Sequence, residues 1–194
     1  LALGALGKMK YDNSDEDVFP VKNLFVHSMG NLVLRNMARE VIWHSFHTQF
    51  NNIVMHAADV RHNLFHEEYF DRDPHQGKEE YDGIAIFRML KRFPDGSVPL
   101  GKLYFFTNWD DGPLQWSGNV NGVNRLGQSG NSMYDKWFGG WAHDASLCHP
   151  AIRDYYENYD ALPELRDIRM KNEHNYVFMD FSIDWMKANI PEFA

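Results

Sequence analysis

One stretch limits the possible folds of this chain more than any other: Asn23-Leu24-Phe25-Val26-His27-Ser28-Met29-Gly30-Asn31. The apolar run over 22–28 reads as a strand. Residues 31–48 carry a helical pattern, with Leu34, Met37, Ala38, Val41 and Ile42 on one face. Only a sharp turn fits between them, and Ser28 stands at its tip. So sharp a turn demands small residues two before and two after the serine. Gly30 meets that demand and Val26 does not. The free N–H groups that open the helix point back at Ser28.

A second apolar run, Phe50 to Asp59, follows the helix. It does not alternate, as suits a parallel strand covered on both faces. Strand, helix and strand in this order make a βαβ unit, and so an α/β fold. With 194 residues, 44% of them hydrophobic, one domain can bury a real core and disorder is excluded. The net charge of −8, without a basic cluster, argues against nucleic acid as a partner. No apolar run reaches the length of a membrane span. Cys148 is the single cysteine, so no internal disulfide forms. That permits a reducing compartment, and a cytoplasmic setting is preferred. No cofactor is expected.

The remaining chain divides by pattern. Residues 11–19 read as an acidic surface loop closed by Pro20, without the spacing of an EF-hand. His62 and His66 lie four apart, and Glu67, Glu68, Asp71, Asp73 and His75 follow. On a helix the two histidines would share a face and offer a zinc site. The segment lacks H-E-x-x-H and breaks at Pro74 and Gly77, so solvated surface is the preferred reading. Residues 78–93 suit an amphipathic helix, and Leu103 to Thr107 a third buried strand. Residues 128–163 are aromatic-rich and irregular, either an insertion or a surface packed on the sheet. Leu165 to Lys171 alternates like a half-exposed edge strand, and Val177 to Asn189 reads as a final helix.

His27-Ser28-Met29-Gly30-Asn31 at a strand–helix junction resembles the nucleophile elbow of the α/β-hydrolase superfamily. More narrowly it resembles a poorly characterised bacterial branch with an H-S-M-G-N elbow. Ala57-Ala58-Asp59-Val60 resembles that branch too, as does the Gly-rich turn with Arg125-Leu126-Gly127. So does His174-Asn175-Tyr176-Val177-Phe178, with one residue inserted before the phenylalanine. The resemblance implies a three-layer α/β/α sandwich around a mostly parallel sheet. In that fold several strands precede the elbow. Residues 1–194 are therefore expected to be a single, N-terminally truncated domain, with a possible irregular insertion at 128–163. The elbow strand would then be an apolar edge, and the chain alone poorly stable.

The resemblance also implies roles. Ser28 would be the nucleophile and His174, in the loop before the last helix, its base. The family pattern of an aspartate, two variable residues, a leucine and a nearby serine falls on Asp111, Leu114 and Ser117. Asp111 is thus the expected acid, with Asp110 as its neighbour; Asp110-Asp111-Gly112 is also a plausible turn. Asp59, at the carboxyl end of a strand, is an alternative acid or a helix cap. The order Ser…Asp…His is that of the superfamily. The Met29 N–H would be one oxyanion donor; the second comes from a loop that the resemblance places ahead of this chain. The function implied is a serine hydrolase acting on a small-molecule carboxylic ester or related acyl substrate. Val26 and the missing loop favour an alternative, a non-catalytic α/β-hydrolase-like binding domain. A metal-dependent hydrolase built on the His62/His66 region is the third reading. Oligomeric state is not legible.

Overall fold

Two strands whose every residue is buried, β2 (Asn52–His56) and β3 (Leu103–Thr107), form the middle of the sheet. A strand covered on both faces needs such an unbroken run. The computed structural model describes residues 23–43, 50–66, 82–91, 99–122, 124–130, 132–135, 140–143, 149–170 and 173–190. In it β1 (Asn23–His27) and β6 (Tyr156–Asp160) flank this pair, in the order β1-β2-β3-β6. All neighbours run parallel. The register sets His27 beside His56, and His56 beside Phe106, so the carboxyl ends of three strands lie level.

Helices alternate with the strands. Among the described residues they are α1 (Gly30–Trp43), α2 (Asp82–Arg88), α3 (Gly112–Asn121), α4 (Leu126–Ser129), α5 (Leu162–Asp167) and α6 (Asp180–Asn189). Successive residues of a strand point to opposite faces, and each face has its own core. Ile53, Met55 and Phe105 pack with Leu34 and Ala38 of α1 and Ala85 and Ile86 of α2. Val54, Tyr104 and Phe106 pack with Leu114, Leu165, Tyr176 and Met186. The result is the expected α/β architecture, a parallel sheet with apolar layers on both faces.

Two expectations need correction. The fourth strand of the sheet is β6, inside the stretch expected to be irregular, and not the run from Leu165 to Lys171. Tyr156–Asp160 holds Glu157 and Asn158 and is only half-buried, so no apolar run marks it. Tertiary contacts recruit it: Tyr156 stacks on Phe105 at 5.5 Å between ring centres, and Tyr159 meets Phe106 edge-on at 5.1 Å. Lys102 also pairs with Glu157. Residues 162–167 are helical instead, with Pro163 in the first turn, where its missing N–H costs nothing. The apparent alternation there is not a face, because Leu165 is buried while Ile168 and Met170 are exposed. The stretch 128–163 also holds an antiparallel hairpin, β4 (Ser132–Asp135) and β5 (Gly140–His143). A turn of 3-10 helix, Tyr176–Phe178, comes before α6, so the last α-helix starts later than expected.

The short helix α4 crosses the ends of β2 and β3. The Gly127 N–H donates to Ala58 O at 2.9 Å, and the Asn108 N–H donates to Gly127 O at 3.0 Å. A Cβ at Gly127 would lie 2.0 Å from the Ala58 nitrogen, so only glycine allows this approach. The acidic loop 11–19, residues 44–49 and 67–81, and Cys148 lie outside the described residues, as do the side chains of Val41 and Ile42.

Candidate active site

Ser28 has φ 50°, in the left-handed region that a residue with a side chain rarely enters. Such strain persists only where the surroundings impose it. Here Asn31, fully buried, supplies much of the hold. Its side-chain amide donates to Ser28 O at 3.0 Å and is within 3.3 Å of Val26 O and His56 O. The Ser28 N–H donates to His56 O at 3.0 Å, tying the turn to β2. A Cβ on Gly30 would come 3.1 Å from Val26 Cγ1. The bulk of Val26 is therefore accommodated by the bare glycine across the turn. The Met29 N–H, just ahead of α1, donates to no acceptor among the described residues.

His174 meets the serine. Its Nε2 lies 2.8 Å from Ser28 Oγ, and its Nδ1 lies 2.7 Å from Asp111 Oδ2. With the hydroxyl donating to Nε2, Nδ1 carries the proton and donates to Asp111. Asp111 is fully buried, and its other oxygen accepts from the Leu114 N–H at 3.0 Å. It is thus the N-cap of α3 and the partner of His174 together. The loop bearing His174 is pinned from several sides. The His27 Nε2 lies 3.3 Å from His174 O, and the Asn108 side-chain amide donates to Glu173 O at 2.8 Å. The Glu173 carboxylate accepts the His174 and Asn175 N–H groups at 3.1 and 2.8 Å.

The other two aspartates have different partners. Asp110 faces Arg166 at 3.4 Å. Asp59 pairs with the buried Arg125 Nε at 3.0 Å and accepts from Ser117 Oγ at 2.7 Å, so its side chain caps no helix. Its backbone N–H still serves the elbow, donating to Ser28 O at 3.3 Å. Asn31 and the Asp59–Arg125–Ser117 cluster were present in the sequence motifs, but nothing local announced their supporting contacts.

Beneath His174 lies a histidine that sequence reasoning missed. His56 is fully buried, and neither ring nitrogen has a hydrogen-bond partner among the described residues. Its ring centre is 4.1 Å from that of Tyr176 and 5.0 Å from that of His27. Burial, and then the nearby His27 and His174, push its pKa from 6.5 down to about 2. His66 behaves similarly. The segment 61–66 forms turns rather than a helix and is drawn inward by the buried Leu64 and Phe65. His66 is consequently buried, contrary to the expected solvated surface, and meets His62 edge-on at 5.6 Å. Burial, with His62 beside it, lowers its pKa to about 4, and burial lowers that of His62 as well.

These shifts predict a pH dependence of stability. The folded pKa values lie below the unfolded 6.5, so the unfolded chain binds more protons at any pH between them. The stabilisation is fully present above pH 6.5 and falls as pH drops toward 4 and below. Each such histidine contributes a slope of up to about 1.4 kcal/mol per pH unit. Denaturant midpoints measured from pH 7.5 to 4.5 should fall steadily. His56→Phe, which suits the aromatic surroundings, should make the slope shallower.

Among the described residues, no group of three or more His, Cys, Asp or Glu side chains is arranged to hold a metal ion, and no helix is long and apolar enough to cross a membrane. Glu67, Glu68, Asp71, Asp73 and His75 lie outside those residues. Compared with family models, curated proteins and solved structures, the chain finds no match.

Proposed function

We propose that this chain is a serine hydrolase of the α/β-hydrolase type, cleaving a carboxylic ester or related acyl substrate. One observation carries the reading: the continuous hydrogen-bonded chain Ser28–His174–Asp111, at 2.8 and 2.7 Å. The three residues occur in the order Ser…Asp…His, the order of that superfamily. In the first step Ser28 Oγ attacks the acyl carbon and its proton passes to His174 Nε2. Asp111 holds the imidazole in the tautomer that can accept this proton, and its charge stabilises the imidazolium. The tetrahedral oxyanion is met by the Met29 N–H and the N-terminus of α1. His174 then returns the proton to the leaving alkoxide, and an acyl–Ser28 ester remains. In the second step His174 takes a proton from water as it attacks that ester, then passes the proton to Ser28 Oγ as the acyl–oxygen bond breaks and the acid leaves.

Val26, the departure that favours a non-catalytic role, packs against the bare Gly30, so it leaves the elbow intact. Met29 and Val33, one helical turn apart, are 65% and 56% exposed. They offer an apolar strip beside Ser28 that suits an acyl chain. Treatment with a fluorophosphonate tests the proposal. One phosphonyl group per chain should attach at Ser28, as mapped by peptide mass spectrometry, and an excess of a short-chain ester should slow the labelling. A protein left unmodified, or modified only at other serines, would overturn it.

A further inference from the structure

Asp111 and His174 stand on different loops, 63 residues apart in the chain, yet they meet at 2.7 Å. That distance depends on how the loop after β3 is held against the loop before α6. The side chain of Asn108 joins the two.

Asn108 is the first residue past β3 and is fully buried. Its backbone opens the turn that delivers Asp111, whose N–H donates to Asn108 O at 3.1 Å. Its side-chain Oδ1 accepts the Asp110 N–H at 3.1 Å, a common use of asparagine in turns. The turn accounts for that oxygen but not for the nitrogen. Asn108 Nδ2 reaches the other loop and donates to Glu173 O at 2.8 Å, 65 residues away in the chain. Glu173 directly precedes His174, and its carboxylate accepts the N–H groups of His174 and Asn175 at 3.1 and 2.8 Å. The carbonyl that Asn108 grips therefore belongs to a segment closed on itself, and moving it moves the backbone of His174.

The two side-chain bonds together fix which end of the amide is which: Oδ1 meets an N–H and Nδ2 meets a carbonyl. Aspartate would keep the acceptor and lose the donor, and alanine would lose both. Glutamine is one methylene too long for a fully buried site. From the elbow side the base loop is held less closely, with His27 Nε2 at 3.3 Å from His174 O.

We propose that Asn108 is a positioning residue for hydrolysis, holding the acid loop and the base loop in register so that Asp111 Oδ2 meets His174 Nδ1. Being buried, it acts through those two residues and not on the substrate. The inference rests on the hydrolase reading.

Two variants of the full chain test it. Asn108→Asp keeps the size and the turn acceptor and removes only the donor. Asn108→Ala removes both bonds and adds no charge. A charge effect cannot explain a loss in the second, nor a cavity a loss in the first. For a short-chain p-nitrophenyl ester, kcat should fall by about 10- to 100-fold in each, as a small misplacement of reacting groups costs. KM should stay within about threefold, because substrate contacts are untouched. In protein carrying ¹⁵N-labelled histidine, the His174 Nδ1–H signal, identified by its loss in His174→Ala, should shift or broaden in both variants. If one variant lacks a cooperative unfolding transition, the other decides. In a folded variant, kcat within threefold of the parent, a loss carried by KM alone, or an unchanged His174 signal would each overturn the proposal. Failure of the hydrolase reading looks different: the parent itself would hydrolyse no ester and take no phosphonate at Ser28, while the His174 signal would still report whether Asn108 aligns the pair.

Discussion

Hydrolysis of a short-chain p-nitrophenyl ester is expected to fall by a factor on the order of 10⁴ or more when Ser28 is replaced by alanine. In the proposed mechanism the substitution removes the attacking oxygen and leaves His174 and Asp111 with no nucleophile to activate. What remains is binding and oxyanion stabilisation, so a small residual rate above that of water is expected. The fold should survive. Ser28 already occupies the left-handed region at φ 50°, and alanine meets the same steric cost there. The hydroxyl lost from the folded state bonds only His174 Nε2 among the described residues. The unfolding midpoint should therefore stay close to that of the parent protein. A rate that persists in Ser28→Ala would sink the assignment of the nucleophile. A lost rate accompanied by a collapsed midpoint would show only that the variant is misfolded.

The second large effect is expected at Asp111, where two substitutions separate two roles. Asp111 Oδ2 receives His174 Nδ1 at 2.7 Å, while Oδ1 receives the Leu114 N–H at 3.0 Å. In Asp111→Asn the amide oxygen can keep the helix cap. Its NH₂ then faces Nδ1 and favours the imidazole tautomer that cannot accept the serine proton at Nε2. Turnover should fall by about 10⁴, while stability changes little. Asp111→Ala loses both bonds. Turnover should fall comparably, and the lost cap should cost about 0.5–2 kcal/mol of stability as well. The contrast between the two denaturation midpoints, at similar loss of rate, is the diagnostic result. Equal midpoints would mean that the cap contributes nothing. A rate unaffected by Asp111→Asn would remove Asp111 from the chemistry.

Much of the framework was legible locally. Apolar runs at the centres of Asn52–His56 and Leu103–Thr107 announce strands covered on both faces, because successive positions there all face a core. A serine and a glycine between strand and helix announce a sharp turn, because few residue types tolerate one. Asp110-Asp111-Gly112 announces a turn for the same reason, and the structure makes that turn the entry to α3. Where local chemistry was weak, the reading failed. β6 is an edge strand with a polar sequence, held by Phe105 and Phe106 of its neighbour rather than by its own pattern. The alternation from Leu165 onward suggested a strand because a short helix can mimic that period over a few residues. His66 looked like surface because its neighbours in sequence are charged, yet Leu64 and Phe65 carry it into the core.

The sequence by itself determined the α/β pattern, the sharp turn at Ser28 and the order of the polar residues that follow the strands. Each depends on the conformational and burial preferences of residues close together in the chain. Only the tertiary structure decided which carboxylate meets His174. Asp59 and Asp111 both follow buried strands, and the choice depends on Arg125 and Ser117 claiming the first. Only the tertiary structure, likewise, set His174 against Ser28, 146 residues away in the chain. It also buried His56 between His27 and Tyr176. Such meetings are fixed by strand order and by packing on both sheet faces, and no local window of sequence contains that information.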